Sequence, residues 1–229
     1  MAGDASSVWR DAVLVARKDL LIEARTRVAV NQVAPFAVLV LLLFAFAFDS
    51  STRVLREGTP GLFWIAVLLS GLLAVQRAFS LEAPDGLRDA LRLSGLHPAG
   101  IFLGKVASVA LQLLVLDLLL GLGVVALYDA RLGAPALLVP SVVVATLGLA
   151  AVGCLYGVLS VGQRVASTLL PLLMLPALAP LLLCATQAVD AALSGTSGEG
   201  WRWLLLLVAF TGSYLALGAA TFGILLDDS

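Results

Sequence analysis

Six stretches of this chain run for about the thickness of a bilayer with almost no charge. Val28–Phe48 is 21 residues without a charged side chain, Gly58–Gln76 is 19, Leu132–Gln163 is 32, Val165–Val189 is 25 and Trp203–Leu226 is 24. Val106–Tyr128 adds 23 residues interrupted only by Asp117. A helix rising ~1.5 Å per residue needs about 20 apolar residues to cross ~30 Å of hydrocarbon. Inside lipid a segment must also satisfy its own backbone hydrogen bonds, which a helix does. The runs therefore predict an all-α integral membrane protein. Its six transmembrane helices lie at approximately 28–48, 60–79, 101–127, 135–160, 166–190 and 203–226, within a single transmembrane domain spanning 1–229. Composition agrees: 61% of the residues are hydrophobic and 13% charged, against about 25% charged in soluble domains.

Orientation follows from lysine and arginine placement. Arg10, Arg17, Lys18, Arg25 and Arg27 precede the first span; Arg77, Arg88, Arg92 and Lys105 flank or occupy the second connection; Arg164 lies in the fourth. Those ten share one side, whereas Arg53, Arg56, Arg131 and Arg202 make four on the other. The positive-inside rule then places the N- and C-termini in the cytoplasm. The residues ahead of the first span are charged throughout, with no apolar core of a signal sequence, so insertion by the spans themselves is expected. Cys154 falls about 13 Å and Cys184 about 28 Å from the cytoplasmic end of their spans at helical rise, too far apart in depth for a disulfide.

Residues 8–27 read as an amphipathic interfacial helix. Arg10, Asp11, Arg17, Lys18 and Arg25 fall on one face, and Trp9, Val13, Ala16 and Leu20 on the opposite one. Such a helix suits the membrane surface, although its charges also serve simply as a topology signal. Pro35 lies where the chain must turn into the bilayer and is expected to end or redirect this helix. The fourth span carries Gly148, Gly153, Gly157 and Gly162, and the Gly153–Gly157 spacing allows close helix approach. Pro171, Pro176 and Pro180 each remove a backbone donor from the fifth span and predict kinking, for motion or for packing.

Catalytic constellations are missing. His97 is the only histidine, which excludes paired-histidine metal motifs, and it falls beside Pro98 in a cytoplasmic loop. Gly104-Lys105 shares two residues with phosphate-binding loops, but Val106 stands where Ser or Thr is required and the lysine heads a span. Asp117 is the one acid deep inside a span, about 18 Å beyond Lys105. A charge there costs a few kcal/mol, which marks a candidate intramembrane polar site with Gln112 or Tyr128 as neighbours, or else a hydrogen bond made for packing. Six spans with no chemistry suggest a transport or assembly subunit driven from outside; no enzyme activity is expected of this chain, and no nucleic acid.

Between the second and third spans, Leu81–Lys105 is a charged island. Asp85 is a good N-cap, Gly95 a fitting residue just past a helix end, and Pro98 prevents continuation. The pattern predicts a short cytoplasmic helix at 85–95, placed where ABC exporters of the second class engage their ATPase. An ordinary surface helix fits the same composition.

The run Pro60-Gly61-Leu62-Phe63-Trp64-Ile65-Ala66-Val67-Leu68-Leu69-Ser70 resembles the PGxxWxAxLLS signature of the heme exporter protein B family, the membrane subunit of the cytochrome c maturation ABC complex. Leu72–Phe79 continues similarly to the family's LLxxERxF and supplies Arg77. Asp85-Gly86-Leu87 with Leu91 resembles its DGxLEQL, Lys105 its LAK, and Ser167–Leu193 its proline-rich fifth span. Arg17–Leu20 fits the N-terminal pattern loosely. Gln76 departs from the family's usual glutamate, Arg88-Asp89-Ala90 from its Leu-Glu-Gln, and Ser94-Gly95 from its proline dipeptides.

The resemblance implies a second-class ABC exporter fold in a bacterial inner membrane, with this chain as a multi-pass permease subunit. Asp85, Gly86, Leu87, Arg88, Asp89, Leu91 and Arg92 would form the coupling interface to a separate cytoplasmic ATPase, which holds the ATP. Further implied partners are a Trp-rich heme-handling membrane subunit, a heme chaperone and a second copy of this chain. Heme is the handled substrate, with no cofactor held stably here. The other readings are a permease for lipid or drug-like molecules and a non-transporting membrane scaffold.

Overall fold

The computed structural model describes residues 2–27, 29–48, 52–80, 95–128, 133–160 and 166–228. They form seven α-helices: α1 (Ala2–Thr26), α2 (Ala34–Ala47), α3 (Thr52–Ser80), α4 (Pro98–Tyr128), α5 (Pro135–Ser160), α6 (Ala166–Ser194) and α7 (Ser197–Asp228). Five of them, α3 to α7, are long and apolar enough to cross a membrane, and the bent pair of α1 and α2 raises the number to as many as six. The short helix expected at 85–95 lies outside the described residues, save for Gly95. That glycine has φ of +67°, the left-handed geometry expected just past a helix end.

The first bend has a local cause. Arg27 sits at φ +51°, a left-handed conformation that a branched backbone residue adopts only at a cost, and it ends α1. A five-residue π-helical turn, Ala29–Val33, follows, and Pro35 stands in the first turn of α2, where its missing N–H disrupts nothing. Between Ser7–Thr26 and Asn31–Ala47 the direction changes by 56°. Pro35 thus opens the new helix, while the preceding residues make the turn.

α5 is the centre of the bundle. Leu149, Ala150, Ala151, Val152 and Cys154 are all fully buried within an unbroken buried run from Gly148 to Leu155, which only a helix packed on several sides achieves. Small residues admit the neighbours. A Cβ on Gly153 would come within 2.6 Å of Val75, and one on Gly157 would overlap the Phe79 ring, so the Gly153–Gly157 pair seats α3. Gly148 lies against Leu181 of α6 and Thr211 of α7, and Thr211 donates to the Val144 carbonyl at 3.1 Å. α6 runs unbroken through its three prolines, and Gly195 at φ +80° turns the chain into α7. Tyr214 of α7 donates to the Ala177 carbonyl at 2.6 Å. Cys154 and Cys184 are both buried and are not joined in a disulfide.

The second hub is α4, which packs against α1, α2, α3, α5 and α7. Its inward face carries Ile101, Phe102, Val106, Val109, Leu113, Leu116 and Leu120, spaced at three and four residues. Its outward face leaves Leu111, Val115, Leu118 and Leu122 exposed, as a lipid-facing surface requires.

Candidate functional site

Two buried charges lie on α4, and each is fixed by a different neighbour. Lys105, in the first turns, is 4% exposed. Its ammonium stands 3.7 Å from the Asp19 carboxylate of α1 and 5.0 Å from the centroid of the Phe79 ring of α3. A carboxylate and a π face together compensate the water that the ammonium gives up. Asp19 also reaches Lys18 at 3.1 Å.

The contact between α1 and α4 that brings these groups together depends on Gly100 and Gly104. A Cβ at Gly104 would lie 2.6 Å from the Ala12 carbonyl, and one at Gly100 would lie 2.9 Å from both Asp11 and the Val8 carbonyl. The four-residue spacing of the two glycines is the same small-residue pattern seen in α5. One step further along, the His97 backbone N–H donates to Asp11 Oδ2 at 3.0 Å, and the His97 ring accepts from the Ala99 N–H at 3.3 Å. Both groups that cap the start of α4 are thereby satisfied. His97 is exposed and serves as a helix cap.

This seam corrects the sequence expectation for Asp11. The helical period assigns it to the charged face with Arg10 and Arg17, yet it is 4% exposed and turned onto α4 with Ala12 and Val15. The period defines faces but not what later packs on them, and the first turn of α4 supplies a backbone donor there. Trp9, Val13, Leu14, Leu21 and Ile22 remain exposed apolar residues along α1.

Asp117 lies deeper on α4 and is also 4% exposed. Its Oδ2 takes a hydrogen bond of 2.5 Å from the Thr146 hydroxyl of α5; its Oδ1 has no hydrogen-bond partner among the described residues. Neither expected neighbour meets it. Gln112 is half-buried elsewhere on α4, and the buried Tyr128 donates to the Leu41 carbonyl at 2.9 Å, joining α4 to α2. The reason is register: Thr146 lies 29 residues away in sequence, and only the packing of α5 on α4 brings it level with Asp117.

Asp117 borders a cleft of about 350 Å³ between α4 and α5. Leu114, Leu118 and Leu122 form one wall and Val139, Val142 and Val143 the other, with Thr59 and Phe63 of α3 behind. Exposed rims at Leu118, Leu122, Val139 and Val143 open it sideways between the helices.

The residues of the PGxxWxAxLLS pattern lie on α3. Pro60 and Trp64 are buried, with Trp64 only 2% exposed, its ring edge-on to Phe63 at 5.2 Å and its Nε1 without a hydrogen-bond partner. Pro60 and Gly61 border a smaller recess of about 320 Å³ with Glu57, Thr186, Gln187 and Asp190. Arg77 is exposed near the other end of the helix. Asp85, Gly86, Leu87, Arg88, Asp89, Leu91 and Arg92 lie outside the described residues. Met174, the methionine of the fifth span, is fully buried, and among the described residues no group of His, Cys, Asp or Glu is arranged to hold a metal ion.

The sequence pattern of the CcmB protein family matches residues 10–226. Heme exporter protein B of Pseudomonas aeruginosa is 32% identical over 221 residues, covering 93% of each chain. The Escherichia coli K12 protein of the same name is 32% identical over 217 residues, 93% of this chain and 92% of its own. That of Paracoccus denitrificans is 30% identical over 210 residues, 87% and 91% of the two chains.

Proposed function

This chain belongs to the CcmB family, and we propose that it is the membrane subunit of an ABC-type exporter that handles heme for cytochrome c maturation. The observation that carries the reading is the extent of the family likeness: residues 10–226 take in α2 to α6, nearly all of α7 and α1 from Arg10 onward. In this reading the chain crosses a bacterial inner membrane six times, with 28–48 as the first span, α1 at the cytoplasmic surface and both termini inside. Two copies pair, since six helices enclose little.

ATP hydrolysis belongs to a cytoplasmic partner that docks on Asp85–Arg92. Closure of that partner moves α3 and α4, the helices on either side of the docking segment. The movement drives heme export or the release of heme-loaded chaperone, with a Trp-rich membrane subunit handling the heme. Buried Met174 and the capping role of His97 support a subunit that does not hold heme stably. Lys105 fits the mechanical part: it stands in the first turns of α4, the helix that follows the docking segment, and joins α4 to α1 and α3.

Deleting the gene and staining cell proteins for covalently bound heme tests the reading. Loss of c-type cytochromes, restored by the wild-type gene, is expected; normal levels overturn it. The docking assignment is tested separately. Alanine at Asp85, Arg88 and Arg92 together should strip the ATPase from the purified complex, and undiminished recovery would reject that interface.

A further inference from the structure

The cleft beside Asp117 is built to hold a molecule. Its walls are apolar, it opens sideways, and at about 350 Å³ it lies at the small end of the range for small-molecule sites. One buried carboxyl oxygen on its wall lacks a partner. An unsatisfied buried acceptor costs about 1–3 kcal/mol, which a ligand bearing a donor recovers.

Proton bookkeeping narrows the ligand. Thr146 has one hydroxyl hydrogen and two oxygens within reach, the Val142 carbonyl at 2.8 Å and Asp117 Oδ2 at 2.5 Å. With the hydrogen on Val142, the close approach of Oδ2 requires the carboxyl to carry its proton there. With the hydrogen on Asp117, Oδ2 accepts, and Oδ1 either accepts as part of a carboxylate or carries the proton of a neutral carboxyl. A hydroxyl group, which both donates and accepts, complements Oδ1 in every one of these arrangements.

None of the residues lining the cleft is cationic, so an anionic molecule finds no counter-charge beside Asp117. That disfavours a porphyrin carboxylate. A cationic amine would have to shed its water deep in the bilayer, which is costly for any full charge. A neutral hydroxyl loses far less.

The geometry points to a lateral binding site between α4 and α5 for a neutral lipophilic phenol or alcohol, whose hydroxyl hydrogen-bonds with Asp117 Oδ1 while its apolar body lies along Leu118, Leu122, Val139 and Val143. The site stands apart from the heme-handling reading and survives its failure.

The test uses the full chain in phosphatidylcholine nanodiscs. The probe is a 4-alkylphenol carrying a diazirine on its chain, compared with the same molecule lacking the hydroxyl. Peptides covering 114–125 and 138–143 should be labelled about tenfold more by the phenol, the ratio that one recovered hydrogen bond of ~1.4 kcal/mol gives. Asp117→Leu should bring the two probes level. Val139→Trp, a rim change on an exposed position, should block labelling of 114–125 by both and keeps the question open to refutation should Asp117→Leu fail to fold. Equal labelling by the two probes in the wild-type chain shows a cleft for acyl chains alone and overturns the proposal. So does a phenol preference that survives Asp117→Leu, or labelling that Val139→Trp leaves unchanged.

Discussion

Lys105 and Asp117 sit on the same helix and are equally buried, yet their surroundings differ in kind. Around Lys105 the protein closes up: α1 brings a carboxylate, α3 a ring, and Gly100 and Gly104 remove the side chains that would keep α1 away. Around Asp117 one oxygen is met by Thr146, the other by nothing, and the helices part into a cleft. The difference teaches that burial of a charge on a membrane helix has two meanings. A charge met from several directions holds helices together, whereas one met from a single direction beside an opening is poised for something to arrive.

Substitutions sharpen that contrast, and the largest effect is expected at the closed end. Asp19→Ala withdraws the carboxylate from a buried ammonium and should cost about 3 kcal/mol, near the lower bound for breaking a buried pair. For a chain of this length that lowers the thermal midpoint in nanodiscs by about 6–12 °C. An unchanged midpoint would show that the Asp19–Lys105 contact carries no weight. Gly104→Val drives a side chain into the Ala12 carbonyl and should cost about 2 kcal/mol by overpacking; faster proteolytic release of α1 would locate the damage. At the open end, Thr146→Val leaves the Asp117 carboxyl without its one partner and should cost about 1 kcal/mol. Smallest of all is Asp117→Leu, within about 1 kcal/mol of neutral, because an apolar side chain suits a cleft wall. A loss at Asp117→Leu as large as that at Asp19→Ala would erase the distinction between the two ends.

Much of the fold is legible in the sequence because lipid imposes a simple code. The described residues of each long uncharged run are mostly helical, and the Gly153–Gly157 spacing marks where α3 enters. The depth of Asp117 is legible for the same reason, since twelve residues past Lys105 place it well inside a span. Its partner is not: α5 also carries Ser141, Tyr156 and Ser160, and choosing Thr146 among them requires the rotation of one helix against another. Asp11 fails differently. Amphipathic period sorts residues into faces on the assumption that charge means water, and the free backbone donor at His97 offers a charge somewhere else to go. Gly100 and Gly104 carried a usable signal, the same four-residue spacing as Gly153 and Gly157. Gly104-Lys105, already excluded as a phosphate loop by Val106, marks a place where the glycines admit a helix.

The seam between α1 and α4 also fixes an order of events. Asp11 and His97 are 86 residues apart in the chain. At about 5–20 residues per second, a ribosome needs roughly 4–17 s to make α4 after the first helix has emerged. Through that interval Asp11, Ala12 and Val15 have no α4 to cover them, and α2 and α3 are made before it appears. The first helix of this protein therefore cannot find its place until the fourth has begun to be made.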